Sequence, residues 1–213
     1  MTDPSSTPGT IVVSGMGRIA VEPDVADLRL GVSVARPTVD SARADAAAAM
    51  TAILAAIRGA GVAARDIRTT LVSVQPRYDY RDGKPPLLTG YELSNQVSVT
   101  IRDLANLGGV IDGSLTAGAT SMDSLSFRVD DPTEPERAAR LAAMAQARSR
   151  ADVLAEAAGV TITGVGDVVE GGGGSPGYPQ PKAARMMLAD SATPVEGGTT
   201  EISVSVTVTY RIA

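Results

Sequence analysis

The sequence predicts an α+β protein: a mainly antiparallel sheet with helices packed on one face. Two patterns and their order carry this. Seven short segments read as strands, most of them alternating apolar and polar residues, and three longer segments carry apolar residues three and four apart. Their order is β-β-α-β-β-α-β-α-β-β. Strands come in directly connected pairs, so hairpins, not a run of βαβ crossovers, organise the sheet. At 213 residues and 44% apolar content, the chain is long enough to bury a core without disulfides or metal.

Residues 1–10 are polar and read as a disordered tail, leaving 11–213 as one domain. Ile11, Val13, Gly15, Gly17, Ile19 and Val21 alternate as a first strand, which the two glycines let bend or bulge. Pro23-Asp24 turns the chain into a second strand through Ala26, Leu28, Leu30, Val32 and Val34, predicting a hairpin. Thr38 is the expected N-cap of a first helix with apolar positions Val39, Ala42, Ala46, Ala49, Ile53, Ile57 and Ala60. Gly61 is its expected left-handed C-cap.

A second hairpin follows. Val72, Val74, Tyr78 and Tyr80 share a face of a strand that Pro76 marks as an edge or a bulge. After a long turn, Arg81 to Gly90, the return strand points Tyr91, Leu93, Asn95, Val97, Val99 and Ile101 one way. Asp103 can cap a second helix ending near Gly118, and Leu125, Phe127 and Val129 form a further strand. A third helix, about Glu134 to Ala158, starts from a cap at Asp131 or Thr133 and ends at Gly159. Its expected stripe is Leu141, Met144, Ala147, Ala151, Leu154 and Ala158. Gly164 and Gly166 interrupt a strand over 160–170. The Gly/Pro-rich stretch 171–198 is expected to be a mobile loop before a last strand from Ile202 to Ile212.

Composition excludes much chemistry. There is no Cys, His or Trp. Thiolate nucleophiles, Ser-His-Asp triads and histidine-based metal or acid–base sites are therefore absent. Nineteen basic against 24 acidic residues give −5 with no basic run, which argues against nucleic acid. No stretch has the ~20 apolar residues of a membrane-spanning helix. The polar start shows no signal peptide, which predicts a cytoplasmic protein. The alternative is the periplasm or cell envelope, if a leader has been removed.

The remaining motifs are weak. Gly15-Met16-Gly17 lies inside a strand and opens no helix, so it is no dinucleotide fingerprint. Gly171 to Gly174 lacks the Lys-Ser/Thr of a phosphate loop, and Gly108-Gly109 sits in a helical pattern. Asp130, Asp131, Glu134 and Glu136 are the densest acids; helix capping is the ordinary reading, a hard-cation site the alternative. Asp79, Asp82, Lys84 and Lys182 lie in polar loops. Tyr78, Tyr80 and Tyr91 gather at one end of the second hairpin, beside Pro85, Pro86, Leu87 and Leu88. A cross-strand aromatic pair would explain the tyrosines. The sharper reading is an interaction surface of Tyr78, Tyr80, Pro85, Leu87, Leu88 and Tyr91.

The opening IVVSGMGRIAVEPDVADLRLGVSV resembles that of the SIMPL-domain family, with its strand, Ser-Gly-x-Gly and Pro-Asp. GVAARDIRTTLVSVQPRYDY, VTIRDLANLGGVIDGSLTAGATSM and FRVDDPTEPERAARLAAMAQARSRADVLAEAAGV are similar to its later segments, so the resemblance covers about Ile11 to Ile212. It implies an α+β fold and no transferable enzymatic activity, catalytic residue or cofactor. Many bacterial members are exported periplasmic or outer-membrane-associated proteins; one assembles into a ring- or channel-like homo-oligomer, and an animal member is a kinase-associated adaptor. The joint expectation is a non-enzymatic, self-associating protein with an assembly role, linked by resemblance to envelope or stress functions. The alternative is a module binding a small ligand or divalent cation under loop 171–198.

Overall fold

The protein is described by a computed structural model over residues 9–81, 83–171 and 193–213. The tail assigned to 1–10 and the loop assigned to 171–198 therefore lie mostly outside the described residues, as do Asp82 and Lys182. The elements are β1 (Thr10–Val21), β2 (Val25–Arg36), α1 (Val39–Gly59), β3 (Ile67–Asp79) and β4 (Leu87–Ile101). Then come α2 (Leu107–Thr116), β5 (Ser121–Arg128), α3 (Thr133–Ala158), β6 (Ile162–Glu170) and β7 (Thr200–Ile212). This is the predicted class and order.

The strands form two antiparallel sheets where the sequence reading expects one: β1-β7-β6 and β3-β4-β2-β5. The expected β1–β2 hairpin does not form. β1 pairs along its whole length with β7, from Thr10 opposite Arg211 to Val21 opposite Thr200, while β2 pairs with β4 and β5. A short connection permits a hairpin but does not require one, and here each strand finds its partner far away in sequence. The described residues gather into two compact units. A contiguous unit holds 23–128 with 193–197, and a split unit combines 9–22, 129–171 and 198–213.

In the contiguous unit, α1 packs on β2 and β4, and α2 packs on α1. Thr38 caps α1 by accepting the Ser41 N–H, and Gly61 follows the helix at φ +91°. The buried stripe is Ala42, Ala46, Met50, Ile53 and Ile57. It meets Leu28, Leu30, Val97, Val99 and Ile101 in a core of branched aliphatic side chains. Each isoleucine buried there contributes roughly 1.5–3 kcal/mol. Leu104–Asn106 forms a 3₁₀ turn, so α2 starts three residues later than expected, and Asp103 makes no side-chain cap.

The split unit is packed differently. The face α3 turns to its sheet is Ala139, Ala143, Ala147, Ala151 and Ala155, spaced by four. The expected stripe is corrected: Leu141 is 61% exposed and Leu154 is also exposed. The reason lies on β1. A Cβ at Gly15 would overlap the carbonyl oxygen of Ala143 and come within 2.7 Å of the Ala147 nitrogen. One at Gly17 would overlap the Ala139 carbonyl and lie 2.7 Å from the Ala143 nitrogen. The glycines are there for close approach rather than a bulge, since the β1–β7 register is unbroken. A helix face this near has room for small side chains, and here it carries alanine. Gly159 ends α3 in the left-handed conformation at φ +68°, as expected. The irregularity expected in β6 appears as register shifts around Gly164 and Gly166.

Candidate interaction surface

β3 is an edge strand, as Pro76 predicts, and it is bulged between Thr69 and Leu71 and between Arg77 and Tyr78. α1 packs on β2 and β4 and leaves β3 largely uncovered. Val72 is therefore 62% exposed, and Leu71 and Val74 are exposed beside it. In the register, Val72 stands opposite Asn95, and Val74 opposite the buried Leu93. The sheet carries its apolar row past the edge of the helix layer and into solvent.

The hairpin end continues this surface. Tyr78 opposes Leu88 and Asp79 opposes Leu87 across the ladder, with Tyr78, Leu87 and Leu88 all exposed. Tyr80 is 77% exposed, and its ring lies 6.3 Å from that of Tyr78 at 55°. The aromatic contact runs along one strand, not across two as expected. Tyr91, opposite Pro76, is half-buried, and Pro85 is exposed in the turn. The bulge at Arg77 also interrupts the alternation that the sequence carries from Val72 to Tyr80. An exposed ion pair, Arg81 to Asp79 at 2.7 Å, rims the turn. The structure thus brings Tyr78, Tyr80, Leu87 and Leu88 to one hairpin end. It adds Val72 and Val74, which the sequence sets on one face with the tyrosines, and Leu71 on the other face of the strand. An apolar centre with a charged rim is the build of a contact surface.

The acids weighed for a cation are occupied otherwise. Asp131 accepts the Thr133 N–H at 3.0 Å at the start of α3. Bonds from the Thr133 hydroxyl and N–H hold its carboxyl below the ordinary range, against the opposing charge of Asp130. Glu134 pairs with Arg137, and Glu136 with Arg140. Arg140 also reaches Glu170, and these two carboxylates raise its guanidinium further above its ordinary value, Glu170 most. Among the described residues, no three acids stand close enough to share a metal ion. No described helix is long and apolar enough to cross a membrane.

The family model SIMPL, described as a protein of unknown function (DUF541), matches residues 11–210. The 26 kDa periplasmic immunogenic protein of Brucella melitensis biotype 1 is 37% identical over 219 residues, covering 98% of this chain and 86% of the relative. The protein of the same name from Brucella abortus matches equally. Uncharacterized protein YggE of Escherichia coli K12 is 34% identical over 145 residues, covering 68% of this chain and 58% of its own. The Brucella names overturn the expectation of a cytoplasmic protein, since relatives similar along nearly the whole chain are called periplasmic. The residues of a folded domain do not by themselves record its compartment.

Proposed function

The chain belongs to the SIMPL family, and from that premise we propose that it is a non-enzymatic periplasmic protein that assembles with copies of itself through β3. The observation that supports this most is the β3 edge, unpaired among the described residues, where Leu71, Val72 and Val74 are exposed and the hairpin end adds Tyr78 and Leu88. An edge strand offers a row of backbone donors and acceptors to another strand. From Thr69 to Gln75 this edge carries no charge, and Arg68 and Arg77 bracket it. A second copy presents the same uncharged stretch, so antiparallel pairing about a two-fold axis at Ser73 sets Val72 and Val74 of the two copies opposite each other. Nothing like-charged is opposed in that stretch. The placement in the periplasm follows the names of the Brucella relatives.

Light scattering on the purified protein at micromolar concentration tests this reading. The expected mass is a multiple of 21.7 kDa. Val72→Lys with Val74→Lys puts charges opposite each other at the contact and should return the particle to monomer, with its far-UV circular dichroism unchanged. A wild-type monomer overturns the proposal.

A further inference from the structure

The four-stranded sheet has a second face, which neither α1 nor α2, the described α-helices of its unit, covers. Residues opposite one another in a ladder share a face, so the register alone maps it. One row across the four strands reads Arg68, Ser98, Arg29, Ser124. The next row sets Thr100 and Ser126 on either side of Asp27. These side chains line a cavity of about 520 Å³ together with Arg65, Asp66 and Arg128. That size lies within the span of small-molecule sites, roughly 300–1,000 Å³.

Charge bookkeeping sets this groove apart from the rest of the molecule. Four arginines (29, 65, 68 and 128) and two aspartates (27 and 66) leave it at +2, in a chain of −5. Both acids are engaged. Asp27 accepts from Arg128 at 2.8 Å and from the Thr100 hydroxyl at 2.6 Å. Asp66 accepts from Arg102 at 3.3 Å and pairs more loosely with Arg65 at 3.9 Å. Arg29 and Arg68 make no ion pair or hydrogen bond among the described residues. They flank Ser98 from neighbouring strands, so their backbones stand about 10 Å apart. Two long side chains at that spacing can close on one group from both sides, each offering a planar fork of donors that matches an oxyanion.

We propose that this groove binds a soluble, hydrophilic phosphate monoester, with Arg29 and Arg68 clamping the phosphate. The serine and threonine hydroxyls of the same rows, which both donate and accept, take the polar remainder of the ligand. An apolar ligand has nothing to bury against here. The site is independent of the β3 contact in its chemistry, and it needs no bond to be made or broken.

Isothermal titration at low, fixed ionic strength tests it, because exposed arginines are screened by salt. The probes are glucose 6-phosphate, inorganic phosphate, glucose and sodium sulfate. Glucose 6-phosphate should bind best, inorganic phosphate more weakly, and glucose not at all. Arg29→Gln with Arg68→Gln should lower affinity for glucose 6-phosphate at least tenfold, while Arg137→Gln in the split unit leaves it unchanged. Amide NMR shifts should centre on Ser98 and its row. Equal heats with glucose and glucose 6-phosphate, binding of sulfate as tight as the ester, or full affinity in the double variant would each overturn the site. Light scattering of Arg29→Gln alone keeps the two proposals separable, since Arg29 lies on β2, away from the β3 contact, and the particle mass should equal the wild type's.

Discussion

The two units solve one problem, seating a helix on an antiparallel sheet, by opposite means. In the contiguous unit α1 stands off β2 and β4, and the gap is filled with Met50, Ile53, Ile57 and the valines and leucines opposite. In the split unit the gap is nearly absent. Ala139, Ala143 and Ala147 rest on the bare backbone of Gly15 and Gly17. One interface is stabilised by volume, the other by distance, where many close backbone contacts replace a few large side chains. The first should be sensitive to atoms taken away, the second to atoms added.

Opposed substitutions test that contrast. The largest effect is expected from Gly17→Val, because the obstruction is the Ala139 carbonyl, backbone that trimming α3 side chains cannot move. The split unit should lose its cooperative unfolding transition in circular dichroism, and an additional Ala139→Gly should not restore it. Next is Ile53→Ala, which opens a void among fully buried neighbours and should cost about 2–5 kcal/mol in denaturant titration. Thr38→Ala removes the hydroxyl that accepts the Ser41 N–H and should cost about 1 kcal/mol. Leu141→Ser, on the outward face of α3, should stay within about 0.5 kcal/mol of wild type. A large loss there would mean that leucine, not alanine, seats the helix.

The smallest expected effect is a dependence on pH. Asp131 has its carboxyl held below the ordinary 3.8 by Thr133. Between the lowered folded value and the unfolded one, the unfolded chain binds more protons, so stability rises with pH there. The contribution is complete above the unfolded value and lost as acid titrates the folded carboxylate. Protection of the first-turn amides of α3, measured against free amides at the same pH, should fall as pH drops through that window, and Asp131→Asn should flatten that fall.

What could be read from sequence was whatever local chemistry decides. Thr38, Gly61 and Gly159 marked helix ends because a cap acts on its immediate neighbours, and Pro76 marked an edge because it lacks a ladder donor. The interface of α3 was misread for a physical reason: hydrophobicity favours Leu141 and Leu154, while proximity to a backbone favours whatever is smallest. That requirement sits on β1, more than a hundred residues away, as Gly15 and Gly17. The division into two sheets was hidden for the same reason, because alternation shows that a strand exists and not which strand it joins. Of the exposed apolar surface, Tyr78, Tyr80, Leu87 and Leu88 were legible as an apolar hairpin end. Val72 and Val74 carried the right signal, but their exposure depends on where α1 stops covering the sheet. The row of Arg68, Ser98, Arg29 and Ser124 comes from four strands and exists only once their register is set.

The pairing of β1 with β7 also bears on synthesis. Among the described residues β1 lies at the edge of its sheet, with β7 as its partner strand. The ribosome makes β1 before, and β7 after, the main body of the contiguous unit, 23–128. That body can condense while the chain is still growing, as domains commonly do. β1 must meanwhile wait as an unpaired, glycine-bearing strand, open to wrong partners until its mate arrives.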